Sequence, residues 1–156
     1  MRNLGEIDHL VAGAVGEPGR RTFLIEIGAD GRMEWFLVEK LQVAALAQRS
    51  LDLLRQRDIH PELPGPALSD PGEPTFRVGE IALGEDGENL VLVLSPTGDE
   101  PADPVAATVS PVLLGEMALR AVEVVGAGRP PCRFCGLPID AAGHACPASN
   151  GDLRDR

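Results

Sequence analysis

The stretch Arg21-Thr-Phe-Leu-Ile-Glu-Ile27, with Ala29-Asp-Gly31 and Met33-Glu-Trp-Phe-Leu-Val38 behind it, decides the fold. Both outer segments are rich in residues that favour strands, and the apolar side chains of the first alternate onto one face. The Asp-Gly pair between them is typical of a two-residue hairpin turn. The sequence therefore predicts two antiparallel strands here, and the apolar run at 10–15 predicts another strand before them.

A helix is predicted after this hairpin, and the pattern then repeats. Apolar residues recur at helical spacing over 39–57, a segment without glycine or proline. Residues 60–74 hold five prolines and are predicted to be an extended or disordered connection. Strands are predicted at 75–83, 89–94 and 105–109. Ser110 and Pro111 suit an N-cap and a first helical position, so a second helix is predicted over 110–126.

These elements predict an α+β fold, with an antiparallel sheet of about six strands and two helices in the order β-β-β-α twice. Residues 1–126 would form one acidic domain, with candidate repeats at 8–58 and 75–126 around the Pro-rich loop 60–74. Segment 37–46 lies 71 positions before segment 108–117, and each crosses from strand to helix. Two interpretations stay open. Either the two segments stem from a true internal duplication, or they show only the similarity that parts of any α+β chain have to each other.

Residues 127–151 carry the pattern of a zinc knuckle, and residues 152–156 form a short tail. Cys132 and Cys135 are separated by two residues, and His144 and Cys146 by one. Three thiolates and an imidazole are a full set of ligands for a tetrahedral zinc ion. Gly136, directly after the first pair, suits the positive φ that a tight knuckle requires. The prediction is one structural Zn²⁺ bound by Cys132, Cys135, His144 and Cys146.

Two other interpretations of the cysteines are weaker. A redox CxxC pair usually begins a helix after a strand, and Gly136 and Pro138 oppose a helix here. Catalytic zinc usually has three protein ligands and one open position, whereas four good ligands fill the shell. Thiolates also disfavour Mg²⁺ and Ca²⁺, while Fe²⁺ fits less well than zinc.

Charge and hydropathy limit the partners and the location. The net charge is −10, and residues 1–126 carry 10 basic against 21 acidic side chains. A domain this acidic should be repelled by nucleic acid and by anionic lipid. Neither is therefore expected as a partner. Without a run of 18 apolar residues or a signal-peptide pattern, a cytoplasmic location is expected. The expected partner is another protein, and the sequence does not fix the oligomeric state.

Other candidates for chemistry are weaker than the cysteine cluster. His9 beside Asp8 is interpreted as a polar pair on a strand, because adjacent strand residues face opposite sides. His60 lies in the Pro-rich loop without a neighbouring partner, and the acidic turns lack the spacing of a calcium loop. Lys40, at the corner between strand and helix, is the one residue that suggests an enzyme. The leading hypothesis is therefore a non-enzymatic adaptor, and the alternative is an enzyme or regulatory subunit with a site in a groove near Lys40.

The chain resembles the DUF3090 family, an uncharacterised family found mainly in actinobacteria. The resemblance is carried by Cys132-Arg-Phe-Cys-Gly136 with Gly143-His-Ala-Cys-Pro147, and by Arg21-Thr-Phe23 and Phe76-Arg-Val-Gly79 in the body. It implies a zinc-binding C-terminal end and no known activity. It also implies a link to a pathway with phosphatase-like and kinase-like proteins. The tail Asp152-Leu-Arg-Asp-Arg156 departs from the more basic and aromatic tails of that family.

Overall fold

A computed structural model of the chain describes residues 1–127, which form seven strands and two helices. In chain order these elements are β1 (Arg2–Glu6), β2 (His9–Val15), β3 (Thr22–Ala29), β4 (Arg32–Val38), α1 (Lys40–Gln56), β5 (Pro74–Asp86), β6 (Asn89–Pro96), β7 (Val105–Val109) and α2 (Pro111–Gly126). The α+β class and both helices are confirmed. Asp30 and Gly31 adopt positive φ at the β3–β4 turn, as the Asp-Gly prediction requires.

The sheet is mixed, so the prediction of a purely antiparallel sheet of six strands was wrong. Its order is β1-β7-β6-β5-β4-β3-β2, and the pairs β1–β7 and β4–β5 are parallel. β4 and β5 are joined through α1, a crossover that allows parallel pairing, whereas a hairpin does not. The additional strand, β1, is largely exposed and polar, so it has no local hydrophobic pattern.

The two end strands of this sheet are consecutive in the chain, so the sheet curls round on itself. Only Ile7 and Asp8 separate β1 from β2. The amide of Ile7 donates to the carbonyl of Thr108 in β7 (3.0 Å), and that of Asp8 donates to Gly28 in β3 (3.0 Å). β1 and β2 thus act as one bent strand that pairs first with one neighbour and then with another.

β5 is bent in a corresponding way. Its beginning pairs with β4, where Phe76 lies opposite Phe36. Its remainder pairs with β6, and the register shifts between Val78 and Glu80. The first half (β2, β3, β4, α1) and the second half (β5, β6, β7, α2) therefore have the same topology. Each half is joined to the other by a parallel strand pair. This equivalence supports the duplication hypothesis, which stays a prediction.

One apolar core connects the sheet with both helices. Its buried side chains include Ile25 and Phe36 from the first half and Leu92, Leu114 and Met117 from the second. Gln42 at the start of α1 accepts a hydrogen bond from the amide of Glu39, and Ser110 accepts one from that of Leu113 in α2. Both helix starts are thus capped by side chains that the local sequence supplies.

The Pro-rich connection between α1 and β5, residues 57–73, lies across the outside of the domain and is here called the strap. The amide of Gly65 donates to the carbonyl of Glu116 in α2 (3.0 Å). Further along, Leu68 contacts Gly13 in β2, and Gly72 lies against the ring of Trp35 in β4. The strap has no helix or strand, and it is held in place by α2 and by β2 and β4 of the first half.

Candidate functional site

The four predicted zinc ligands, Cys132, Cys135, His144 and Cys146, lie outside the described residues. Between residues 1 and 127, no group of three or more His, Cys, Asp or Glu side chains is arranged to hold a metal ion. Within the same part of the chain, neither helix has the length and apolarity needed to cross a bilayer. The metal prediction therefore depends on the donor set itself, which is chemically suited to zinc.

A buried carboxylate, Glu26 of β3, is the most constrained polar group of the domain. The indole Nε1 of Trp35 donates to its Oε2 (2.7 Å), and the Nε2 of His9 bonds its Oε1 (2.6 Å). The hydroxyl of Ser69 in the strap also donates to Oε2. Glu26 and its three donors thus tie together β2, β3, β4 and the strap.

Strand register explains this convergence. Trp35 lies directly opposite Glu26 in the β3–β4 pair, while His9 lies opposite Gly28, two positions away on the same face. A Cβ at position 28 would lie 2.9 Å from the Cβ of His9 and 2.7 Å from the Sδ of Met33. Glycine at position 28 therefore allows His9 and Met33 to approach the strand from both sides.

The electrostatics of this cluster favour an ionised Glu26. Burial raises the pKa of Glu26, but hydrogen bonds from Ser69, His9 and Trp35 outweigh it, so the pKa is lowered from its ordinary value. An ionised carboxylate accepts, so the Nε2 of His9 carries the hydrogen. With both oxygens occupied, Glu26 is not available as a general base, and it serves to position the strap and His9.

Reasoning from the sequence paired His9 with Asp8 and missed Glu26. Asp8 lies just before β2 and not on it, and His9 bonds Glu26 on the neighbouring strand. A signal for Glu26 was present in the stretch Phe-Leu-Ile-Glu-Ile, where a single acid interrupts an apolar strand. A strand buried on both faces makes such an acid a buried one, and buried charges require partners.

Lys40 lines a small cleft of about 200 Å³ together with Gly19, Arg21 and Phe23. The guanidinium of Arg21 lies 5.0 Å from the centre of the Phe23 ring and donates to the carbonyls of Val124 and Ala127. Arg21 therefore secures the end of α2. The structure therefore places Lys40 in a cleft beside an arginine that is already bound to backbone carbonyls.

A larger groove, of about 430 Å³, separates α1 from β5 and is called the α1–β5 groove. Leu46, Ile81 and Leu83 give it apolar walls, and Arg49 stands on its helical side. Gln42 closes one end by donating to the carbonyl of Val78 (3.1 Å). The groove is therefore an apolar site with one cation, Arg49, and one acid, Glu80, in its lining.

A third cleft, of about 300 Å³, lies between the strap and the start of α2 and is called the strap cleft. Leu63 from the strap and Val112 from α2 line it, and they are 75% and 71% exposed. His60, Glu62 and Glu116 supply its polar lining. Two large apolar side chains exposed together in one cleft, unlike a single one, can mark a site of protein interaction.

Comparison with known proteins identifies the family. The sequence profile described as "Protein of unknown function (DUF3090)" matches residues 3–146. The chain belongs to the DUF3090 family. The matched region reaches Cys146 and so includes all four predicted zinc ligands of this DUF3090 chain. Searches of curated proteins and of solved structures found no match at the significance required.

Proposed function

We propose that this DUF3090 protein is a non-enzymatic adaptor that binds one structural zinc ion and a protein partner. The zinc would be bound by Cys132, Cys135, His144 and Cys146, whose donor atoms are those of closed structural sites. A segment as short as residues 127–151 has little apolar core of its own, so metal binding would supply much of its folding energy.

The observation that carries the partner proposal is the exposure of Leu63 and Val112 in the strap cleft. Burying two such side chains is favourable, and a cleft that receives an apolar side chain is a common centre of a protein interface. Glu62 and Glu116 line the same cleft, and the net charge of the chain is −10. The partner surface would therefore present an apolar side chain flanked by Lys or Arg.

The test is affinity purification of the full-length chain from its native host, with quantitative mass spectrometry. Four baits are compared: wild type, the double variant Leu63→Ser/Val112→Ser, Leu41→Ser and Cys135→Ser. Leu41 is the matched control. It is the second residue of α1, as Val112 is the second residue of α2, and it is 82% exposed. It lies outside the strap cleft. The candidate partner is then purified, and its Kd is measured directly.

The expected result is a Kd about ten-fold or more weaker for the double variant and unchanged for Leu41→Ser. Equal binding by both would disprove the partner proposal, whatever the zinc content. Loss of the partner with Cys135→Ser would show that the zinc segment contributes to recognition, and retention would make it a support for the fold. Elemental analysis of each bait measures zinc separately.

The alternative, an enzyme or regulatory subunit with a site near Lys40, gains little support from the cleft at that residue. The cleft is small, about 200 Å³, and a second cation, Arg21, lines it beside the lysine. The adaptor proposal is favoured because two exposed apolar side chains lie together in one cleft, as at a protein interface.

A further inference from the structure

The α1–β5 groove is open, whereas the corresponding place between α2 and β2 is filled. α2 packs closely against β2. α1 occupies the corresponding place beside β5, yet Ile81 and Leu83 there are only half-buried. Arg49 on the rim is exposed and makes no hydrogen bond or ion pair with any described residue, 1–127. Within residues 1–127, this groove therefore presents an apolar floor with Arg49 and Glu80 beside it, and the guanidinium of Arg49 has no bond there.

The strap shows what fills the equivalent place beside α2. The Nε of Arg120 in α2 donates to the carbonyl of Gly65 (2.8 Å), and the amide of Gly65 donates to the carbonyl of Glu116. A Cβ at position 65 would lie 2.9 Å from the Cβ of Glu116, so only glycine allows this approach without displacing the helix. An arginine and a glycine backbone thus secure the strap on α2.

The two helices and the segments that follow them can be compared at one sequence offset. α2 begins at Pro111, 71 positions after α1 begins at Lys40. The same offset relates Arg120 to Arg49 and Glu116 to Ala45, two residues of the α1–β5 groove. It also relates Gly65 of the strap to Gly136.

We propose that residues 130–138 dock in the α1–β5 groove as the strap docks on α2, with Arg49 donating to the backbone carbonyl of Gly136. Phe134 and Leu137 are the apolar side chains that would cover Leu46, Ile81 and Leu83. The proposal commits to a segment of this chain as the occupant. None of the groove residues that it uses is a predicted zinc ligand, so docking and metal binding can be measured separately.

The path of the chain favours this occupant. Arg57 at the end of α1 donates to the carbonyls of Gly87 and Glu88, in the β5–β6 turn. Arg21 near the start of β3 donates to the carbonyls that end α2. Each helix thus ends beside a hairpin of the sheet. Gly65 lies nine positions beyond the end of α1, and Gly136 lies ten beyond the end of α2, so the segments have nearly equal reach.

Hydrogen exchange of the full-length protein, read by mass spectrometry, tests this docking. Ala45→Arg fills the groove from an exposed position of α1, and Arg49→Ala removes the proposed donor. Arg55→Ala is the matched control, because Arg55 is an exposed arginine of the same helix that pairs with Asp52. We expect amide exchange in residues 130–138 to be about ten-fold faster in Ala45→Arg and Arg49→Ala, and unchanged in Arg55→Ala.

A photo-crosslinking residue at position 45 gives a second measurement. A crosslink within one chain to residues 130–138 supports the proposal, whereas a crosslink to a second copy of the chain overturns it. Exchange at the rate of a free peptide in the wild type would also overturn it. Zinc content is measured in the same samples. In the wild type, docking without metal would count against the zinc site alone, and metal without docking would count against this proposal alone.

Discussion

At the scale of single residues, the domain concentrates its most constrained chemistry in Glu26. Its carboxylate is buried and accepts from three side chains of distant segments. Removing the charge while keeping the shape would leave His9, Trp35 and Ser69 with a weaker acceptor, and a buried donor without its partner is costly. Glu26 therefore matters for stability more than its single place in a strand suggests.

Glu26→Gln is expected to lower the free energy of unfolding by about 2–4 kcal/mol at neutral pH, because it breaks a buried charged network. Urea unfolding followed by circular dichroism measures the change. Glu34→Gln is the control, because Glu34 accepts from the exposed Arg2 and should cost less. An effect of Glu26→Gln no larger than that of Glu34→Gln would contradict the structural role.

The lowered pKa of Glu26 also predicts how stability depends on pH. The folded carboxyl loses its proton more readily than the unfolded one, whose pKa is about 4.5. Its contribution is therefore present in full above that pH and is lost as the pH falls through the lower pKa of the folded state. The difference in unfolding free energy between wild type and Glu26→Gln should shrink over that interval. A difference that is constant from pH 7 down to pH 3 would be inconsistent with this assignment.

At the scale of elements, the strap is a segment without helix or strand that is nevertheless held by specific bonds. Its fixation relies on Arg120, which donates to Gly65, and on Ser69, which donates to Glu26. The strap also forms one wall of the proposed partner cleft. Its position therefore connects the stability of the domain with the shape of the candidate binding surface.

Arg120→Met should loosen the strap while leaving the sheet intact. The aliphatic part of the side chain is kept, and only the donor to Gly65 is lost. Limited proteolysis should then cut residues 60–73 about five- to ten-fold faster than in wild type, as expected for a lost hydrogen bond of a charged group. Glu123→Gln is the matched control. It removes the ion pair of Arg120 with Glu123 and keeps the bond to Gly65. Equal cleavage rates in both variants would refute the anchoring role.

Ser110→Ala should destabilise the domain by about 1 kcal/mol, because the amide of Leu113 loses its capping oxygen at the start of α2. Thermal unfolding measures the loss. Ser110→Thr retains a hydroxyl acceptor and should restore most of the stability. Failure of Thr to do better than Ala would show that the cap contributes nothing.

Local patterns in the sequence predicted most elements but not how distant elements meet. Alternating apolar residues and the Asp-Gly turn predicted β3 and β4, and the Ser110–Pro111 start predicted α2. All three elements are present. β1 could not be predicted, since Arg2–Glu6 is mostly exposed and depends on pairing with β7 at the far end of the domain. The anchoring of the strap was hidden for the same reason. Its partners, Glu26 and Glu116, are separated from it by long stretches of chain.

At the scale of the whole molecule, the zinc prediction separates the chain into two parts that respond differently to metal. Residues 1–126 have their own apolar core. The predicted ligands all lie between Cys132 and Cys146. Chelation should therefore release about one equivalent of zinc per chain, as expected for one four-ligand site, and expose residues 129–151 to proteolysis.

Elemental analysis and far-UV circular dichroism measure both effects, and the signal of the sheet and helices should persist after chelation. Cys135→Ser should lower the bound zinc, while His60→Ala, at an exposed histidine of the strap, should not. Protein purified from its host without any metal would refute the zinc prediction.

The parallel pairing of β1 with β7 has a consequence for the order in which the molecule can assemble. Arg2 lies opposite Val105, and Glu6 lies opposite Thr108. Residues 2–6 therefore have no strand partner in β7 until nearly all of the domain has been synthesised. Contacts of such sequence separation slow folding, because the intervening loop must close first. The N-terminal strand should be the last to dock, and until then the exposed side of β7 is open to pairing with another nascent chain.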